Sequence, residues 1–262
     1  MQRSHCRPRK LSAPWFRRSR LYLGIMAGVV SLCVAPTRAV FAQSVTAVNN
    51  GRWDTTTTWS DGQLPGPGKN YIIGAGFQVM APPIQRDGTF DTVFNGDSLF
   101  VGNGGELVLQ STSPAYNAYE TLTIPGLSFD NGSTLTLVAA AGNINPTMVS
   151  DVRVADSGTV NWAVAVTSAL AFDDSLILAP TAALRGGADI NVSVNAQGVT
   201  GLKRRMISIE SQDNPFTGNW IVTTTSGSFG TKMGVLEAAG VNALGTGQAT
   251  LNASILRNAV AD

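Results

Sequence analysis

The sequence predicts an all-β fold, a parallel β-helix, with an antiparallel β-sandwich or jelly roll as the alternative. Three observations carry this expectation. Helical periodicity is nearly absent, and short segments alternate apolar and polar residues between Gly, Asn, Asp and Pro. Glycine is abundant: two of the 28 precede Gln43, which leaves 26 in the following 220 residues. That content suits many tight turns and not a helical bundle. Finally, a weak internal repeat recurs, two apolar-x-apolar strands flanking a small polar turn.

The chain opens with a segment of a different kind. Residues 1–20 hold seven basic side chains (Arg3, Arg7, Arg9, Lys10, Arg17, Arg18, Arg20) and no acid. Leu21 to Ala35 form an uncharged, mostly apolar run, and Val40-Phe41-Ala42 places small residues at −3 and −1 of a cut before Gln43. These are the three parts of a secretory signal peptide, assigned to residues 1–42. The apolar run would span only about 22 Å as a helix, against roughly 30 Å of hydrocarbon. A membrane span after cleavage is therefore not expected, and the localisation expected is secreted, cell surface or periplasm.

Removal of that segment also removes Cys6, Cys33 and His5, the only cysteines and histidine present. Ser-His-Asp and Cys-His catalysis, His- or Cys-ligated zinc and disulfide stapling go with them. The remainder carries ten bases against seventeen acids, a net −7. Nucleic acid is not an expected partner, because phosphate neutralisation needs clustered Lys and Arg. Lys203-Arg204-Arg205 is the one such run and reads as a solvated turn.

Residues 43–75 read as an N-terminal capping segment, rich in Trp, Thr, Gly and Pro. An end coil must shield the open core, and Trp53, Trp59 and Tyr71 have the bulk to do so. The same rings offer a second reading, a stacking platform for sugar.

Residues 76–262 read as the repeat domain. Leu99-Phe100-Val101 leads through Gly102 to Glu106 into Leu107-Val108-Leu109. Leu127-Ser128-Phe129 leads through Asp130 to Thr134 into Leu135-Thr136-Leu137. Val152-Arg153-Val154 leads through Ala155 to Thr159 into Val160-Asn161-Trp162, again with a five-residue turn. A shortened fourth copy runs from Leu170-Ala171-Phe172 through Asp173-Asp174-Ser175 to Leu176-Ile177-Leu178. Alternation sends Leu99, Val101, Leu107 and Leu109 to one interior. One unit cannot bury its own face, so copies must stack. A period of about 18–28 residues matches one coil, and nine or ten coils at about 4.8 Å would build a rod of order 45 Å. The same turns would serve as hairpin loops in a sandwich, which keeps that alternative open.

Chemistry, where present, must come from carboxylates, Lys, Arg, Tyr or Ser. Asp173-Asp174 is the most suggestive pair, but strand neighbours point to opposite faces, so an Asx-type turn is the simpler reading. Asp130, Asn131, Asp156, Asp173 and Asp174 fall at equivalent turns and would stack into an oxygen-rich ladder, which makes calcium the one candidate cofactor. Arg153 and Arg185 are candidate bases of the kind polysaccharide lyases use. No catalytic residue is assigned.

Gly218-Asn219-Trp220, the turn Asn242-Ala243-Leu244-Gly245-Thr246-Gly247 and the strand after it resemble the autotransporter-associated β-strand repeat of bacterial surface and secreted proteins. Trp53 and Trp59-Ser60-Asp61-Gly62-Gln63-Leu64-Pro65 resemble the start of secreted bacterial β-helix proteins. The resemblance implies a right-handed parallel β-helix in an exported protein, and no catalytic residue. The expected function is a non-enzymatic surface, matrix or adhesion module with an extracellular glycan or cell-surface matrix as partner. The alternative is a protein that binds or degrades extracellular polysaccharide. An open helix end would pair edge to edge and favour self-association.

Overall fold

The computed structural model describes residues 42–83, 88–111, 117–139, 143–166, 174–195, 205–212, 214–226 and 234–258. All belong to the compact unit Val40–Asp262. Residues 1–41 of the expected signal peptide lie outside the described residues, as do Leu170 to Asp173, Lys203 and Arg204.

The chain winds as a parallel β-solenoid. The first coil contributes β1 (Gln43–Thr46) and β2 (Gly51–Arg52). The second holds β3 (Lys69–Ile73), β4 (Gln78–Met80) and β5 (Gly88–Val93). The third holds β6 (Ser98–Val101), β7 (Glu106–Ser111) and β8 (Asn117–Thr123). The fourth holds β9 (Leu127–Phe129), β10 (Thr134–Ala139) and β11 (Asn143–Met148). The fifth holds β12 (Val152–Val154), β13 (Thr159–Val166) and β14 (Asp174–Leu178). The sixth holds β15 (Leu184–Arg185), β16 (Asp189–Asn195) and β17 (Arg205–Ile209). The seventh has β18 (Trp220–Ser226) and β19 (Gly234–Ala238), and the last has β20 (Ala249–Asn252) and β21 (Ser254–Asn258).

Successive coils stack into three sheets: β1-β3-β6-β9-β12-β15, then β2-β4-β7-β10-β13-β16-β18-β20, then β5-β8-β11-β14-β17-β19-β21. Every ladder between these strands is parallel. The sandwich alternative is thereby excluded. Six coils have three paired sides when the Gly186–Phe216 bridge is included. At about 4.8 Å per coil these rise roughly 29 Å, shorter than the nine or ten coils expected.

The core is a set of vertical columns. Val79, Leu107, Leu135, Trp162, Val192, Val222 and Leu251 are consecutive register partners in the second sheet. The first six are buried, while Leu251 is 37% exposed because no described strand lies beyond it. Their spacing is 27–30 residues per coil. Leu99, Val101, Leu107 and Leu109 are all fully buried, as the alternation requires. Each such side chain contributes about 1.5–3 kcal/mol of burial.

Two details of the repeat are corrected. In the third copy the register partner of Leu135 is Trp162, not Val160, although Phe129 faces Val154. The corner between these core positions is thus two residues longer than in the copy before. The shortened fourth copy is not a copy of the same corner: Leu176, Ile177 and Leu178 belong to β14 in the third sheet. The true successor of Val152 is Leu184. An apolar-x-apolar triplet shows that a strand faces the core but not which of three sheets it joins.

Glycine fixes the corner between the first two sheets. Gly76, Gly104 and Gly132 adopt φ of 78°, 70° and 78°. Gly76 N–H donates to the Gly104 carbonyl and Gly104 N–H to that of Gly132. A left-handed residue repeated at one corner turns the chain sharply while its amide still bonds the next coil.

Candidate functional site

The turn carboxylates were the first candidates, and the fold separates them. Asp130 and Asp156 lie at the same corner of adjacent coils. The Asn131 N–H donates to Asp130 Oδ1 at 2.8 Å, and the Asp156 carboxylate accepts Arg153 Nη2 at 3.0 and 3.2 Å. Asp174 starts β14 in the third sheet, opposite Arg205 in register, away from that corner. Asp173 lies outside the described residues. Asp130, Asp156 and Asp174 therefore do not stack as one ladder. Among the described residues no group of three or more His, Cys, Asp or Glu is placed to hold a metal ion.

Polar corner side chains tie coil to coil instead. Asn50 Oδ1 accepts the Gln78 N–H, and Asn131 Oδ1 accepts the Thr159 N–H, both at 2.8 Å. Asp189 Oδ1 accepts the Asn219 N–H, and Asn219 Oδ1 accepts the Gln248 N–H. Asp151 Oδ1 accepts the Ala183 N–H, while its other oxygen pairs with Arg185 at 3.2 Å. Arg153 and Arg185 are thus both ion-paired at the surface.

Two carboxylates have displaced titration. Lys69 Nζ sits 2.7 Å from Asp61 Oδ2 and holds the Asp61 carboxyl below the usual range. Burial, with Glu237 nearby, pushes the Glu210 carboxyl upward.

The aromatic candidates converge, but inside. Trp53 and Trp59 are 3% and 2% exposed, and Tyr71 is fully buried. The Trp59 and Tyr71 rings meet edge to face with centroids 4.8 Å apart. Trp59 Nε1 donates to the Trp53 carbonyl, and Tyr71 Oη accepts the Gly66 N–H. Burial leaves no broad ring face on which a sugar can stack. Phe94, which the sequence reading passed over, packs against all three at 5.3–6.3 Å. Gly96 marks the tightness of this plug, since a Cβ there would lie 2.6 Å from both Phe94 and Tyr71.

Residues 53–68, which supply Trp53 and Trp59 to the plug, cross the end of the solenoid. Trp59 bridges antiparallel to Ala47, the Val48 N–H donates to the Thr58 carbonyl, and the Ser60 N–H donates to the Thr46 carbonyl. This segment therefore caps the first sheet rather than adding a strand to the third. Among the described residues the third sheet begins one coil late, at β5.

A cleft of about 280 Å³ opens at that step, lined by Trp53, Asp54, Leu64, Pro65, Pro82, Asp91, Thr92, Val93 and Asn95. Leu64 and Val93 are 53% and 49% exposed. Asp54 is held by Arg52, whose Nε lies 2.8 Å from Asp54 Oδ1. Asp91 makes no ion pair among the described residues. Of its lining, the sequence singles out Trp53 and the Leu64-Pro65 end of the Trp59 to Pro65 element, but nothing in it marks Pro82 or Asp91 to Asn95.

No protein-family model, no curated protein and no solved structure matches this chain. The fold and the site define a parallel β-solenoid with an aromatic plug and a cleft beside it.

Proposed function

We propose that the chain acts after export as a non-enzymatic structural or adhesion module, at a cell surface or in an extracellular matrix. One observation carries this reading. Four described carboxylates join one coil of the solenoid to the next: Asp97 to the Gly68 N–H, Asp151 to Arg185, Asp189 to Asn219 and Glu237 to Arg257. Glycoside hydrolysis needs two acids at about 5–9.5 Å across a shared groove. Acids used as coil-to-coil staples serve a rigid scaffold instead. Such a rod would present cleft and loops repeatedly, and many weak contacts would sum to avidity.

The test is reducing-end release from a panel of extracellular polysaccharides, run beside binding to a glycan array. No turnover is expected on any polymer. Turnover would favour the alternative of a polysaccharide-degrading protein and overturn the scaffold reading.

A further inference from the structure

We infer that the cleft beside the plug is a strand-addition site, which takes an extended, basic-apolar peptide segment of a partner protein along the free edge of β5.

Bonding direction alternates along a parallel strand, because each residue aims both its N–H and its C=O to one side. The Phe94 N–H donates to the Thr123 carbonyl, and Thr92 is the register partner of Leu122. Phe94 and Thr92 therefore bond toward β8. Asp91 and Val93, one step out of phase, aim their backbone groups the other way, at the cleft. Among the described residues β5 is the terminal strand of its sheet and β8 is its one ladder partner, so no ladder forms on that outer side. Unpaired strand edges of this kind template an added strand.

The lining selects the occupant. Leu64, Pro65 and Pro82 give apolar contact on the plug side, over the buried Trp53. The exposed Asp91 carboxylate lies on the strand itself and is the acid that selects a basic residue, since Asp54 is already paired with Arg52. An added strand would continue the parallel ladder, with alternate side chains toward Leu64 and Pro82 and the others beside Asp91. Apolar residues alternating with Lys or Arg meet both demands. A glycan is disfavoured because the aromatic faces that would stack on sugar are turned into the core.

This inference deepens the adhesion reading and rests on it. Its test uses the full chain and a labelled Lys-Val-Lys-Val-Lys-Val-Lys peptide, read by fluorescence anisotropy and by amide exchange at Asp91 and Val93. Saturable binding is expected, with both amides slowed. A peptide N-methylated at alternate positions should bind about tenfold more weakly, the loss of roughly one backbone hydrogen bond. Val93→Pro removes the edge amide without breaking the bond to β8 and should weaken binding similarly. Asp91→Asn should reduce the salt dependence. Equal binding of the N-methylated peptide, no saturation at millimolar peptide, or edge amides already protected in the free protein would each overturn the inference. So would a neutral oligosaccharide that protects the same amides. Failure here leaves the absence of turnover standing, whereas turnover removes the scaffold reading whatever the peptide does.

Discussion

Asn214 and Ala243 meet in the buried interior, where the Asn214 side-chain amide donates to the Ala243 carbonyl from the next coil. The same side chain accepts the Leu184 N–H at 2.7 Å from the coil before and exchanges bonds with Ser211. One 4% exposed amide thus joins three consecutive coils at a corner where backbone pairing is sparse.

Replacing it should be costly. Asn214→Ala strands the Leu184 N–H and the Ala243 carbonyl in the core, and should destabilise by roughly 3 kcal/mol. Asn214→Asp keeps the acceptor but cannot donate to Ala243, so it should not rescue. Urea unfolding of both variants checks this, and a loss within error of zero would show that the bridge is redundant.

The turn Asn242 to Gly247 makes a sharper claim. Gly245 has φ 75° and lies over the Phe216 carbonyl, while a Cβ on Gly247 would run into the Gly218 carbonyl. Gly247→Ala should therefore cost about 3 kcal/mol or more through overpacking. Gly62 has φ 64° with open space around it. Gly62→Ala should cost only about 1 kcal/mol, the left-handed penalty alone. Thermal melts of the two variants compare crowding with conformation directly.

Trp59→Ala should lower stability by about 3–5 kcal/mol at the plugged end, where a large buried ring is lost. Stacked coils contact only their neighbours, so the damage should be confined to the first coils. Hydrogen exchange should accelerate at Val45 and Tyr71 and stay unchanged at Val192. Uniform acceleration would mean that the solenoid unfolds as one unit.

Glu210 supplies a pH signature. Its carboxyl is pushed above its ordinary value by burial and by Glu237. The folded state then holds that proton more tightly than the unfolded state, so this group stabilises below its ordinary value and stability falls as pH rises through the raised one. Glu210→Gln should raise the Tm at pH 7 by about 1–2 °C and flatten that slope. Asp61 has the opposite sign: its lowered carboxyl stabilises at neutral pH, and the gain is lost as pH falls through its folded value. Melts between pH 3 and 8 separate the two.

Much of the scaffold was legible because alternation maps directly to burial. Leu99 to Leu109 and Leu127 to Leu137 could be placed on an interior from spacing alone. Trp53, Trp59 and Tyr71 could be assigned bulk at an end, though not their burial. The third sheet was harder to read. Asn143–Met148 and Asn117–Thr123 are polar strands whose pairing depends on coils about 28 residues away. That is why Leu176 to Leu178 mimicked a different corner. The cleft was illegible for a related reason: it exists only because residues 53–68 cross the end instead of extending a sheet.

The two ends of the stack are unlike. One is closed by four interlocked rings, while at the other Leu251, Ile255 and Leu256 remain 37%, 43% and 44% exposed. Of the two described ends, the one with the less buried side chains is expected to yield first under tension. The chain would then peel rung by rung from β21 inward, each step paying out some 29 residues, the Val222-to-Leu251 interval. Every rung would add roughly 100 Å of contour, so the force trace would be a directional sawtooth.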